Sequence, residues 1–214
     1  PESEGGILQP ETASSSELGL KGRHLNGRLS WDASVFDMDF RHLVVTQAVN
    51  GLPGLVNAGT EHFKGVELDG RFKFSDALAV VATYAWHDAR FGHGVQLVGG
   101  TPVQLQGRFL ELSPRHLASA GITYAPRAGF SAYAVADYSG ADFLDRRNSA
   151  RAGGYTSFDA GIGYRHGAWE LRLDGHNLGD RRDAAAASEL GTGQYYLLPA
   201  RSVQLSVSRD FGVR

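Results

Sequence analysis

Apolar and polar residues alternate one for one through long stretches of this chain. Trp169, Leu171 and Leu173 alternate with Glu170, Arg172, Asp174 and His176, and Val203, Leu205 and Val207 alternate with Ser202, Gln204, Ser206 and Ser208. Phe158, Ala160, Ile162 and Tyr164 alternate with Asp159, Gly161 and Gly163, and Val66, Leu68 and Phe72 with Glu67, Asp69, Arg71 and Lys73. In an extended chain successive side chains point to opposite faces. The pattern therefore predicts strands with one greasy face and one charged, Gly-rich face. Nine strands are expected, at 15–23, 27–45, 60–74, 77–90, 115–125, 129–143, 154–166, 168–182 and 197–211. Alternation alone does not separate a soluble sandwich from a membrane wall.

The connections discriminate better. Short ones fall near Arg23–Asn26, Ser75–Asp76, Pro126–Ala128 and Gly167, and long ones near Thr46–Gly59, Gly92–Pro114, Leu144–Gly153 and Asp183–Leu198. Short turns at one end and long loops at the other are the arrangement of outer-membrane β-barrels. Several expected strands also exceed the ~5–6 residues usual in globular domains and suit the ~9–11 needed for a tilted crossing of a bilayer. No run of about 18 apolar residues exists to make a membrane helix. The mean hydropathy of −0.24 is compatible with a barrel wall, because lipid-facing and lumen-facing residues average out. Trp31, Tyr84, Trp86, Tyr124, Tyr138, Tyr155, Tyr164, Trp169 and Phe211 cluster near strand ends, where an aromatic girdle would lie, or where ordinary core aromatics would. In 27–45 the apolar phase slips between Val35 and Phe36, which calls for a β-bulge or for a strand that rises out of the membrane. Strands 77–90 and 129–143 are apolar on both faces in places, and their phase stays open.

Five stretches, in order, resemble the last strands of a TonB-dependent outer-membrane receptor. They are Leu8 to Gly22 with Glu17, Leu55 to Gly70 with Gly65 and Glu67, and the Pro-x-His start at Pro114. The hairpin Tyr155 to Asp183 carries Asn177 and Asp180 of an Asn-Leu-x-Asp signature, and the closing strand has Pro199, Arg201 and Phe211. Two positions depart from the family pattern: Gly179 stands where an aromatic is usual, and Phe211 is followed by three more residues. The resemblance implies an all-β, antiparallel transmembrane barrel of roughly twenty-two strands around a plug. On that reading residues 1–214 are its C-terminal portion, with the plug and earlier strands upstream. The absence of a signal segment and the start at Pro1 point the same way, and a structure of this chain alone is expected to be an open, twisted sheet with two bare edges.

The implied role is a receptor in the bacterial outer membrane that binds and imports a ferric siderophore or a similar scarce nutrient. Vitamin B12, heme, sugars or other metal chelates are alternatives. TonB–ExbB–ExbD would act through the N-terminal region, and outer-membrane lipid and lipopolysaccharide would surround the wall. Long loops would carry recognition: Arg146, Arg147 and Arg151 in one, Arg181, Arg182, Tyr195 and Tyr196 around another. Arginine forks suit chelator oxygens and aromatics suit its organic frame; surface charge against lipopolysaccharide is the plainer reading of each Arg. Glu67, Asp69, Arg71, Asp159, Glu170, Arg172 and Asp174 would face a polar lumen. A net charge of −2 gives no reason to expect nucleic acid, and the absence of Cys excludes thiolate metal sites and disulfides. His87 and His93 flank Asp88 but lie on a strand and a loop, so no metal site is expected there. No G-x-S-x-G, dinucleotide fingerprint or acid/base carboxylate pair occurs, so no enzyme and no cofactor is expected. A passive porin and a soluble β-sandwich are the competing readings.

Overall fold

A computed structural model describes residues 7–42, 44–49, 52–57, 59–98, 101–187 and 194–211. In chain order its strands are β1 (Thr12–His24), β2 (Leu29–Arg41), β3 (Val44–Val49), β4 (Leu52–Asn57), β5 (Thr60–Lys73), β6 (Leu78–His93), β7 (Val95–Val98), β8 (Thr101–Gln104) and β9 (His116–Tyr124). Then follow β10 (Gly129–Ser139), β11 (Asp142–Phe143), β12 (Arg151–Ala152), β13 (Tyr155–His166), β14 (Trp169–His176), β15 (Ala184–Ala187), β16 (Tyr195–Leu197) and β17 (Ser202–Arg209). The described residues include no helix long and apolar enough to cross a membrane.

Nine of the strands form one antiparallel sheet in the order β1-β2-β5-β6-β9-β10-β13-β14-β17. Each expected strand corresponds to one of these. The sheet is a meander that does not close, and β1 and β17 are its outer strands. Every long connection rises into its own two-stranded hairpin or ladder: β3-β4, β7-β8, β11-β12 and β15-β16. All four lie at one end of the sheet. Turns at the other end are short; His166 pairs with Trp169 across a two-residue loop whose Gly167 has φ 58°, the left-handed geometry that matches hairpin twist.

The sequence sets several ends too far out. The expected 27–45 stops at Arg41, 129–143 at Ser139 and 168–182 at His176, while the last strand starts at Ser202 rather than 197. At two of these ends positive φ, at His42 (61°) and Asn177 (47°), turns the chain out of the ladder. The phase slip at Val35 is no bulge. Pairing of β2 with β5 runs unbroken from Leu29↔Phe72 to Arg41↔Thr60. Above Val35 the outward positions become Asp37 and Asp39, and the inward ones Phe36, Met38 and Phe40. The strand has left the apolar layer and continues as an extension.

Directly paired residues share a face, so the register carries that layer across the sheet. Leu18 pairs with Val35 and Leu20 with Ala33; Val35 pairs with Val66 and Ala33 with Leu68. The row continues through Trp86 and Tyr84 to Ile122, Ala134, Ile162, Leu173 and Leu205. This also fixes the two ambiguous strands: Val80, Tyr84, Trp86, Phe130 and Tyr138 face outward, and Val81, Thr83, Tyr133 and Asp137 inward. Leu171 and Leu173 are 48% and 43% exposed, and Val203 and Leu205 both 67%. No second protein layer covers them. Such a continuous apolar belt has hydrocarbon as its solvent, and only a wall whose backbone groups are all paired is viable there.

Candidate functional site

The polar face carries the residues expected there. Glu67, Asp69, Arg71, Asp159, Glu170, Arg172 and Asp174 all lie on it by register. Arg172 bridges Asp174 at 3.0 Å and Glu170 at 3.9 Å, and Arg165 reaches Glu170 at 2.5 Å. Glu67 meets His87 at 3.5 Å. Glu17, Asp32, Ser34, Glu67, Asp69 and His87 line a trough of about 720 Å³ on this face. Gly65 has a specific packing role: a Cβ there would stand 2.5 Å from the Trp86 carbonyl oxygen and 2.6 Å from the Phe36 ring, and that ring lies edge-on to His87 at 5.7 Å. His87 faces inward, whereas Asp88 alternates outward and binds Arg90 at 2.6 Å. The two histidines and the aspartate between them do not converge.

Above the belt the protein must bury its own apolar groups. Ala89, Phe91 and Leu105 are 2–3% exposed. The chain after β8 folds back along β6, with Phe91 N–H donating to the Arg108 carbonyl at 3.0 Å and Leu110 N–H to the Ala89 carbonyl at 3.1 Å. Phe109, at the centre of this strip, takes the Arg90 guanidinium 3.8 Å over its ring and stacks on Phe143 of the next loop at 5.9 Å.

That next loop, 140–154, is held by its own polar groups. The Asp145 carboxylate accepts the N–H groups of Ser149 and Ala150, both at 2.8 Å, and the Ser149 hydroxyl at 2.6 Å. Partial burial works to raise the Asp145 pKa, but these hydrogen bonds and nearby Arg147 outweigh it and hold the carboxyl below its usual range. Asn148 imitates a strand: its side-chain oxygen accepts Phe109 N–H at 2.7 Å, and its amide nitrogen donates to the Phe109 carbonyl at 2.8 Å. Arg146 donates to Glu111 at 2.6 Å, Arg108 to the Arg147 carbonyl, and the Tyr195 hydroxyl to the Leu144 carbonyl. Three long loops are thus tied together at the mouth.

The candidate recognition residues therefore divide. Arg146, Arg147 and Tyr195 are ties within this framework, Arg147 reaching Asp145 at 3.3 Å. Arg181 forks onto Asp183, with both bonds at 2.9 Å. Arg151 and Arg182 are exposed and form no ion pair among the described residues; Tyr196 is exposed. The framework residues Asn148 and Asp145 escaped the sequence reading, although an Asp-x-x-Asn turn signal was present.

The Asn-Leu-x-Asp signature is a staple between two hairpins. Asn177 donates through its side-chain nitrogen to the carbonyls of Arg181 and Pro199, each at 2.7 Å, and accepts Arg181 N–H at 2.9 Å. Asp159 accepts Asn177 N–H at 2.8 Å and meets His176 at 2.9 Å. Asp180 accepts Arg201 N–H at 2.9 Å. A Cβ at Gly179 would meet only Arg181 Cγ, at an ordinary contact distance of 3.8 Å, so the usual aromatic is missing from a position that is not crowded at Cβ. Pro114 opens the approach to β9, where the Arg115 carbonyl accepts His87 N–H at 2.9 Å. Phe211 is exposed, with Arg209 5.0 Å over its ring.

A family model described as TonB dependent receptor-like, beta-barrel matches residues 2–178. The ferrioxamine receptor of Yersinia enterocolitica is 28% identical over 219 residues, 99% of this chain and 29% of that protein. The ferrichrome outer membrane transporter/phage receptor of Escherichia coli K12 is 26% identical over 178 residues, 75% of this chain and 21% of that protein. Among solved structures, the siderophore receptor PiuA from Acinetobacter baumannii superposes with a TM-score of 0.78 at 23% identity, over 97% of this chain and 30% of that one. The ferric yersiniabactin uptake receptor FyuA from Yersinia pestis gives 0.76 at 19%, over 94% and 30%. The chain spans less than a third of the length of these relatives.

Proposed function

Because this chain belongs to the TonB-dependent receptor β-barrel family and is a piece of outer-membrane barrel wall, we propose that it is the C-terminal arc of a receptor that imports ferric siderophores. The observation that supports this most is the family match over residues 2–178, laid on a sheet with one continuous greasy face and one charged face. A charged inner face suits a polar plug, and the proposal places the plug and the earlier strands upstream of residue 1. The relatives are receptors for ferrioxamine and ferrichrome, which favours a hydroxamate chelate as ligand. Arg151, Arg182 and Tyr196 are the candidates for touching it; Arg146, Arg147, Arg181 and Tyr195 act by holding the loops that present them. TonB–ExbB–ExbD supplies the energy through the upstream region, lipopolysaccharide surrounds the outer leaflet, and no bond-breaking chemistry is assigned to the chain.

The test uses the intact receptor in an iron-starved host. Uptake of radioactive ferric trihydroxamate is expected to depend on the receptor and to vanish when TonB is deleted. Uptake that persists without TonB, together with free passage of unrelated small solutes, would mark a passive channel and overturn the proposal.

A further inference from the structure

We infer that Asp37, Asp39 and His62 form a divalent-cation site on the outward face of the wall, just above the apolar belt. One ligand atom from each lies within 4.8 Å of the others. β2 brings both carboxylates to one face at i and i+2, and β5 sets His62 directly opposite Asp39. Val35 and Val66, one row below, end the belt. The site therefore stands at the level of the outer-leaflet head groups, outside the barrel and apart from the ligand mouth.

The two contacts of the imidazole differ in kind. His62 Nδ1 stands 2.9 Å from Asp39, a hydrogen bond. Its Nε2 stands 3.6 Å from Asp37 Oδ2, too long for a hydrogen bond. Two ligands about 2.1 Å from one tetrahedral ion stand roughly 3.4 Å apart. The gap thus fits an ion between Nε2 and Asp37, with Asp39 orienting the ring through its other nitrogen, as carboxylates commonly do behind metal-bound histidines. One imidazole carries at most one positive charge against two carboxylates.

The surrounding groups on this face are Ser14 and Ser16 of β1, opposite Asp39 and Asp37, Arg41 of β2, Lys64 of β5, opposite Asp37, and Asp88 and Arg90 of β6. Arg90 is engaged by Asp88 at 2.6 Å, which leaves Lys64 as the competitor for Asp37. The imidazole in the set favours zinc over magnesium or calcium, with manganese a weaker occupant through the carboxylate. The open coordination positions point outward, where phosphate oxygens are plentiful.

The test is binding of Zn²⁺ and Mn²⁺ alone to the purified intact receptor in detergent, with no chelate present. Calorimetry is expected to give one outward-face ion per molecule, held at least roughly tenfold more weakly in His62→Gln and in Asp37→Asn, and unchanged in His87→Gln on the inner face. Pulsed electron paramagnetic resonance of the Mn²⁺ form should show imidazole nitrogen coupling that is lost in His62→Gln. Folded variants that bind as tightly as the wild type, or a wild type that binds no ion, would overturn the inference, and neither result bears on siderophore uptake.

Discussion

The side-chain amide of Asn177 donates to the Pro199 carbonyl 2.7 Å away, across 22 residues of chain. The same nitrogen donates to the Arg181 carbonyl. One side chain therefore fixes the exit of β14 and the approach to β17, and closes the base of the loop between them. Asn suits the position twice over, because it tolerates the left-handed φ of 47° found there and offers both a donor and an acceptor.

Asn177→Ala removes three hydrogen bonds. Each contributes about 1 kcal/mol net, so the intact receptor is expected to lose about 2–3 kcal/mol in urea unfolding. Amide exchange at Arg181 should accelerate most, since its N–H loses its acceptor. Asn177→Gly keeps the backbone easy and should lose the same bonds; a variant with unchanged exchange at Arg181 would mean that the staple is ornamental.

Two glycines are expected to behave in opposite ways. Gly65→Ala drives a methyl toward the Trp86 carbonyl and the Phe36 ring, and overpacking of this kind costs about 1–3 kcal/mol. Gly179→Phe adds a Cβ that meets only Arg181 Cγ, at an ordinary 3.8 Å, and restores the aromatic usual in the family. Heat-modifiable mobility on gels should show a lowered transition for the first and none for the second.

Much of the wall was legible because a half-lipid, half-aqueous sheet writes its period directly into the chain. Leu171, Arg172 and Leu173 announce their faces without help from tertiary contacts. Strand ends were less legible, since His42 and Asn177 leave the ladder through backbone geometry that alternation does not record. The phases of 77–90 and 129–143 became readable only through cross-strand partners such as Tyr84↔Ala118 and Tyr138↔Ala118. At the mouth, Arg146 and Arg181 looked like free forks because the acids that close them are fixed by loop shape, Glu111 being 35 residues away in sequence.

Glu61 gives the mouth a pH dependence. Its carboxyl is raised from 4.5 to about 7, first by burial and then by the neighbouring charges of Glu111 and Glu11, with Arg146 opposing. Between those two pH values the folded protein holds a proton that the unfolded chain has released, so stability falls as pH rises through that window and levels off above it. Glu61→Gln abolishes the titration while keeping the shape. The thermal midpoint of the variant relative to wild type should therefore climb from pH 5 to pH 7.5 and then stay level. A difference that does not change with pH would show that Glu61 titrates as an ordinary surface carboxyl.

The belt itself is tested by moving one charge across the wall. Leu205 pairs with Leu173 in the middle of the outward rows, and its neighbour Gln204 pairs with Asp174 on the inner face. Leu205→Arg places a guanidinium in hydrocarbon, at a cost of about 2–4 kcal/mol near the midplane. Gln204→Arg places the same group in a polar lumen beside a carboxylate, where it costs little. In the intact receptor, folded into bilayers, the first variant should insert poorly and unfold at lower denaturant while the second matches wild type. Equal behaviour of the two would mean that Leu205 does not meet lipid, because hydrocarbon makes the outward face far less tolerant of charge than the polar lumen face.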